Sequence, residues 1–424
     1  MNRLLGVLVA LAVVVCAQGC STTVLTAECA NPKVSNSSVP FVYLVMLPYA
    51  YRGKEEPSVL HQVAAVSLND VAGLQVVRMG AETTDMHVTL LRDSGKGCDI
   101  EEVYKVFTEK HFFERELRST VVFYWGEIFE VDDRMIVQSH IRMLWKNPEE
   151  SLVNVDVTLP SDRSRLRFTG FVPYATVSFP PRTLPVENEE GSGLRLRMSL
   201  EAHSAPTMQA DKVPLPKRFI ISRREGDWVE LRDASTHTTS WIAVTDRGAN
   251  AKSLLPELSF AHALAAYASF SRVPNNAIAS DSIRWLDEFR AGYGTQGASE
   301  ALRQPNAVAD AVEAVLRMNE NRGEQDRRRV VELMDRAVGA LPTSSAVLNL
   351  SAISRIEQCC STREAASEIQ RGLELARQLD AGNEMVAQNL LNWYRLLAEK
   401  DASVWPGTKE EIRRRAAELA EALR

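Results

Sequence analysis

Apolar and polar positions alternate with different periods along this chain, and the changes of period divide it. VPFVYLVMLPY (39–49) is an unbroken apolar run closed by a proline, the pattern of a buried strand. In 57–74 the positions Val59, Leu60, Val63, Val66, Leu68 and Val71 recur at helical spacing, with Pro57 at the start and Gly73 at the stop. LQVVRMG (74–80) predicts a second strand, and 99–112 a second helix with Ile100, Val103, Val106 and Phe107 on one face. Residues 119–145 then alternate strictly about a turn at Asp132-Asp133, with Ile136, Gln138, His140, Arg142 and Leu144 set against Val137, Ser139, Ile141 and Met143. Strand, helix, strand, helix and hairpin together predict an α/β or α+β domain over 39–150.

Beyond it the strands shorten. Residues 151–192 are β-like stretches cut by Pro160, Pro173, Pro180 and Pro181, which predicts edge strands or an extended connector, and PVENEEGSG (185–193) has linker composition. Residues 193–245 carry short strands with frequent turns, the pattern of a small barrel. From 254 to 424 the period is helical throughout. Helices are predicted at 256–271, 279–291, 306–319, 324–341, 343–358, 361–380, 383–399 and 408–423. MDRAVGALP (334–342) superimposes on IQRGLELARQLDA (369–381) with an offset of 35 residues, Arg336 over Arg371.

The first residues follow another rule. Arg3 precedes the apolar stretch Leu4–Val15, and Ala17-Gln18-Gly19-Cys20 follows. A twelve-residue helix is about 18 Å long and cannot cross about 30 Å of hydrocarbon, so 1–19 reads as an export signal. Residues 20–38 are small and polar, as in a tether. Export permits disulfides. Cys29 and Cys98 flank the first domain and are the candidate pair, whereas adjacent Cys359 and Cys360 are either a vicinal bridge or two thiols beside a turn. At 45% hydrophobic and 25% charged, the 424 residues suffice for several cored domains. A net charge of −6 offers no footprint for nucleic acid.

Several stretches resemble known families. The end of the signal is similar to the lipobox of bacterial lipoproteins, with Gly19 before Cys20. That resemblance implies a lipidated Cys20 and, with Ser21 next, sorting to the outer membrane facing the periplasm; cleavage after Ala17 or Gly19 would instead release a soluble periplasmic protein. Residues 39–146 resemble the amino-terminal domain of TolB-like envelope lipoproteins, through the Leu-Pro ending of VYLVMLPY and through WGEIFEVDDRMIVQ with Gly126, Asp133, Arg134 and Val137. The stretch 81–99 falls outside that resemblance. Residues 193–245 look like a bacterial SH3 domain, with Leu196, Arg197 and Pro206 at its start, Gly226, Trp228 and Leu231 in its middle and Ser240-Trp241-Ile242 at its end. Trp228 and Trp241 are then either barrel core or, with His237 between them, a ligand groove that takes a peptide or glycan stem. The helical region resembles degenerate tetratricopeptide repeats through Ala337, Ala340 and Pro342, with a period of about 34 residues. That resemblance implies a face binding segments of partner proteins.

No motif announces catalysis. GYGTQG (292–297) has dinucleotide-loop spacing but follows a helix rather than a strand. The seven histidines (61, 87, 111, 140, 203, 237 and 262) lack metal spacing, and Asp132-Asp133 and Glu149-Glu150 are paired carboxylates at turns. No metal or cofactor is expected. The expectation is a non-enzymatic envelope lipoprotein that scaffolds or assembles envelope proteins, with a peptidoglycan-binding accessory to envelope enzymes as the alternative.

Overall fold

A computed structural model of the chain describes residues 24–29, 42–52, 68, 72–73, 86–92, 98–109, 120–131, 134–145, 152–159, 163–172, 176–183, 186–189, 193–196, 202–214, 219–225, 228–233, 236–243, 255–272, 275–293, 300–319, 324–356, 362–399 and 407–423. The chain forms two compact units. One comprises residues 1–146, 178–269 and 287–294, the other residues 147–177, 270–286 and 295–424.

The first unit is built on a mixed sheet. Strands β1 (Val24–Glu28), β2 (Val42–Met46), β3 (Ala50–Tyr51) and β4 (Met86–Arg92) precede helix α1 (Ile100–Glu109) and the long strands β5 (Thr120–Val131) and β6 (Arg134–Trp145). The spatial order is β1-β4-β2-β5-β6; β1, β4, β2 and β5 run parallel, and β6 returns antiparallel. Every residue of β2 is buried, as an interior parallel strand requires. The alternation foreseen in β6 places Val137, Ser139, Ile141 and Met143 on the buried side. Asp99 starts α1 by accepting the amides of Glu101 (2.7 Å) and Glu102 (3.2 Å). Val103 and Phe107 then face the sheet, Phe107 edge-on to Phe123 at 5.2 Å. Of the helix predicted at 57–74, Leu68, Ala72 and Gly73 are helical and the rest lies outside the described residues, as does the strand predicted at 74–80.

Three sequence assignments need correction here. Residues 24–28 are a strand within the expected tether, because Val24–Glu28 finds a parallel partner in Val88–Arg92. That partner, β4, lies inside the stretch 81–99 left outside the family resemblance, and it is central, flanked by β1 and β2. The expected linker around 185–193 is a hairpin.

The chain continues through β7 (Leu152–Thr158), β8 (Arg165–Phe171), β9 (Val177–Ser178) and β10 (Arg182–Thr183), the last antiparallel to β6. The hairpin of β11 (Val186–Glu189) and β12 (Gly193–Leu196) follows. Then come β13 (Ala202–His203), β14 (Lys212–Val213), β15 (Phe219–Glu225), β16 (Trp228–Asp233) and β17 (Thr239–Ala243), paired in the order β14-β13-β17-β16-β15. This path is open; no closed barrel forms among the described residues. β13 and β14 offer two residues of ladder each, too few to close a ring, and β12, expected as the first barrel strand, is committed to β11.

The helices fall close to their predicted spans: α2 (Pro256–Arg272), α3 (Asn276–Tyr293), a 3₁₀ turn (Glu300–Leu302), α4 (Arg303–Asn319), α5 (Glu324–Ala340), α6 (Ser345–Ile356), α7 (Arg363–Leu379), α8 (Glu384–Glu399) and α9 (Lys409–Ala422). Residues 256–269 of α2 belong to the first unit and are buried on every face.

The second unit holds α4 to α9 and the β7–β8 hairpin, paired from Leu152↔Phe171 to Thr158↔Arg165. Its helices repeat. Val330, Met334 and Ala337 of α5 return as Ile369, Leu373 and Ala376 of α7, each pair 39 residues apart (330 to 369) and each residue buried. The connecting loops repeat too: Leu341 N–H donates to Ala337 O (2.8 Å) as Asp380 N–H does to Ala376 O (3.1 Å). Ser344 Oγ and Asn383 Oδ1 accept the amides of Val347 (3.4 Å) and Val386 (3.3 Å) at the following helix starts. The sequence offset of 35 is corrected to 39. The four-residue error is close to one helical turn, so the slipped alignment still matched one face with itself.

Candidate functional site

The open five-stranded sheet brings Trp228 and Trp241 to one face, since Trp228 pairs with Ala243 and Glu230 with Trp241. The third ring of this face is His203 rather than His237. His203 stands opposite Trp241 in the ladder and meets Trp228 edge-on at 5.3 Å, and its Nδ1 lies 3.2 Å from Ala210 O. Trp241 is 5% exposed, His203 is buried, and Trp228 is half-buried. His237 sits at an exposed turn with a positive φ of 60°, beside Thr236, whose amide is held by Asp233 at 2.7 Å. Of the predicted groove residues, the structure thus brings Trp228 and Trp241 together with His203 and places His237 apart from them at the turn. Nothing in the residues around His203 signals this.

A second constellation was invisible as a motif. In the first unit Tyr49 OH bonds Ser139 Oγ (2.8 Å) and also Tyr124 OH, and Tyr124 OH donates to Ser139 Oγ at 3.1 Å. Ser139 donates in turn to Glu257 Oε1 (2.8 Å), while Tyr293 OH donates to Glu257 Oε2 (3.3 Å) and Arg182 pairs with the same oxygen at 3.4 Å. Glu257 is 1% exposed, in the first turn of α2. The hydroxyls and the carboxylate satisfy one another, an arrangement that fixes the sheet against a helix. Its one sequence trace is Ser139, a hydroxyl on the apolar face of β6.

Burial pushes the phenols of Tyr49, Tyr124 and Tyr293 well above the ordinary tyrosine range, reinforced by the Glu257 charge. In the second unit, burial and the bond to Glu374 (2.8 Å) push Tyr394 up to about 12. Each phenol holds its proton more tightly folded than unfolded. Its contribution to stability is thus intact below the ordinary pKa of about 10 and is lost as pH rises through the folded value. An absorbance titration of tyrosinate should find these four late among the chain's nine tyrosines, with Tyr394→Phe removing the component near pH 12. Nine phenols that all ionise near the ordinary value would overturn this assignment.

The third constellation lies on the helical unit. β8 shows one main-chain edge to β7; side chains of α6 and α8 take the other. Asn389 Oδ1 accepts Thr169 N–H at 2.7 Å and its Nδ2 donates to Thr169 O at 2.6 Å, the bond pair a neighbouring strand would make. Asn349 Nδ2 donates to the same carbonyl (3.0 Å) and its Oδ1 accepts from Asn389 (2.9 Å). Asn392 Nδ2 reaches Arg167 O at 2.8 Å. Side chains of β8 are read as well. A Cβ on Gly170 would stand 2.5 Å from Leu350 Cδ2 and 3.4 Å from Ile353 Cδ1, so a side chain here must displace the end of buried Leu350. Phe171 is buried with Ala346, Leu348, Ala376 and Val386. These three asparagines are polar residues scattered among apolar ones, and no pattern in the sequence singles them out.

The structure joins Cys29 to Cys98 by a disulfide, with Cα atoms 5.4 Å apart, tying the end of β1 to the approach to α1. Cys20, Cys359, Cys360, the signal 1–19, Asp132-Asp133 and Glu149-Glu150 lie outside the described residues. Of GYGTQG, Gly292 and Tyr293 end α3. Among the described residues no cluster of three or more His, Cys, Asp or Glu is placed to hold a metal, and no helix is long and apolar enough to cross a membrane. No protein-family model, no curated protein and no solved structure matches the chain.

Proposed function

We propose that the chain is a non-enzymatic cell-envelope lipoprotein, anchored by Cys20 at the periplasmic face of the outer membrane and acting as a protein-interaction scaffold. The observation that carries this reading is the 39-residue recurrence of helix hairpins (330 to 369), with one face of consecutive hairpins turned to an extended strand. Stacked helix pairs of this kind build elongated surfaces suited to holding segments of other proteins. The helices are tetratricopeptide-like in this reading, with a longer repeat than the usual period of about 34 residues. Residues 39–146 serve as a TolB-like platform and the five-stranded sheet as an SH3-like packing module. The disulfide between Cys29 and Cys98 fits an oxidising compartment.

Two measurements test it. The intact mass of membrane-extracted protein should carry a lipid addition on Cys20 that Cys20→Ser lacks, and the variant should move to the soluble fraction; an unlipidated wild-type chain overturns the anchor. Crosslinking in cells should capture envelope proteins with the full chain and lose them when the chain is truncated after residue 299. Partners that persist on the truncated chain overturn the scaffold role of the helices.

A further inference from the structure

Resting on that scaffold reading, we infer that the face formed by α6 and α8 is a clamp for extended polypeptide, and that β8 is its built-in occupant. A partner segment with the pattern apolar–x–apolar–x–Gly–aromatic would bind there by displacing the chain's own strand.

One main-chain edge of β8 is met by side chains. A strand edge is ordinarily completed by another backbone. Here it is completed by side-chain amides at Thr169 and Arg167, alternate residues of one edge, through Asn389, Asn392 and Asn349. Amide side chains supply both a donor and an acceptor, and they read main chain without regard to the side chains it carries. Selectivity comes from two places. The Gly170 slot, walled by Leu350 and Ile353, disfavours a side chain, the more so the larger it is, and the apolar seat of Phe171 favours an aromatic ring.

The 39-residue repeat places these contacts at equivalent positions. Leu350 corresponds to Asn389 and Ile353 to Asn392, so two successive helix hairpins turn the same face to the same strand. One repeat supplies the slot and the next supplies the amides. This is a continuous recognition surface, and the β7–β8 hairpin shows what chemistry it accepts: Leu166, Phe168 and Gly170 are buried, while Arg165 and Arg167 are exposed. An incoming segment needs those small and apolar positions and an edge free to meet the asparagines.

The test uses the full mature chain and a fluorescent peptide of residues 163–172 (RSRLRFTGFV) as the probe, followed by anisotropy. Wild type should bind weakly because its own strand competes. Thr169→Pro removes the amide that Asn389 accepts and should tighten peptide binding about tenfold or more, since apparent affinity scales with the fraction of vacant faces. Adding Asn389→Ala to that chain should abolish binding, and a peptide carrying Gly170→Leu should bind at least about tenfold more weakly. The proposal is overturned if Thr169→Pro keeps the wild-type helical circular dichroism yet does not bind the peptide. It is overturned equally if the Gly170→Leu peptide binds as well as the parent. Phe171→Ala loosens the same strand without altering its main chain and replaces Thr169→Pro should the latter fail to fold. A dimer of the loosened chain that excess peptide does not dissolve would assign the face to a second copy and also overturn the proposal. Envelope crosslinking is read independently, so a clamp that fails here leaves the scaffold reading to stand or fall on its own measurement.

Discussion

Gly126→Ala is expected to cost the sheet unit about 3–5 kcal/mol, a very large effect for a single methyl group. Gly126 lies in β5 directly opposite Ser139 of β6. The Tyr49 ring crosses over it to place its hydroxyl on Ser139 and Tyr124. A Cβ on residue 126 would stand 2.1 Å from Tyr49 Cε1, 2.4 Å from Cδ1 and 2.7 Å from the backbone oxygen of Gln138. None of these atoms can yield cheaply. The ring is buried and tethered at its hydroxyl, and the carbonyl belongs to β6. Overpacking alone costs about 1–3 kcal/mol. Expelling Tyr49 also strips a partner from two buried hydroxyls, at about 1–3 kcal/mol for a group left unmet. Denaturant unfolding followed by near-ultraviolet tyrosine circular dichroism measures the sum. Because the clash is with Tyr49, Tyr49→Ala combined with Gly126→Ala should cost much less than the two single changes together. Additive costs, or a Gly126→Ala chain with a wild-type midpoint, would mean that the ring does not lie over the glycine.

What could be read in the sequence, and what could not, follows from where the information sits. β5, β6 and the helices from α2 onward are long, and their period is set by one buried face, so their spans were legible. β1, β4 and β11 were not, because each depends on pairing with another strand rather than on its own pattern; Val24–Glu28 has five residues and depends on β4. The repeat was visible but slipped by about a turn, since a helix aligned four residues out still matches its own face. The site residues were harder. Gly126 stood out within a family-like pattern, yet its reason is Tyr49, 77 positions earlier (49 to 126). Glu257 looks like an ordinary acidic residue near a helix start. Asn349, Asn389 and Asn392 interrupt apolar faces, and only the strand laid against them explains why polar groups are tolerated there.

Glu257→Ala is the other change with a large expected effect, about 3 kcal/mol, at the low end of what breaking a buried ion pair costs. The carboxylate serves three partners brought from three elements: Ser139 of β6, Tyr293 of α3 and Arg182 of β10. Alanine leaves all three facing a space they cannot fill. The Arg182 side chain keeps 23% exposure, so water relieves part of its charge, which places the cost at the low end. Glu257→Gln retains an acceptor for Ser139 but loses the charge that holds Arg182, and should cost about 1–2 kcal/mol. For a unit of this size, about 3 kcal/mol is a fall of about 6–12 °C in melting temperature. A spectroscopic consequence separates this site from a general loosening. The Glu257 charge is the second cause, after burial, of the raised Tyr49 and Tyr293 values. Glu257→Gln, which preserves packing, should therefore move those phenols down toward the ordinary tyrosine range without lowering Tyr394 in the other unit. Replacing the pair together, Glu257→Leu with Arg182→Met, should recover much of the stability lost by Glu257→Ala, because removing both charges removes the desolvation cost of each. If the double replacement were instead as damaging as Glu257→Ala and Arg182→Ala added together, the two groups would not be coupled. Glu257 would then be buried for a reason other than this network.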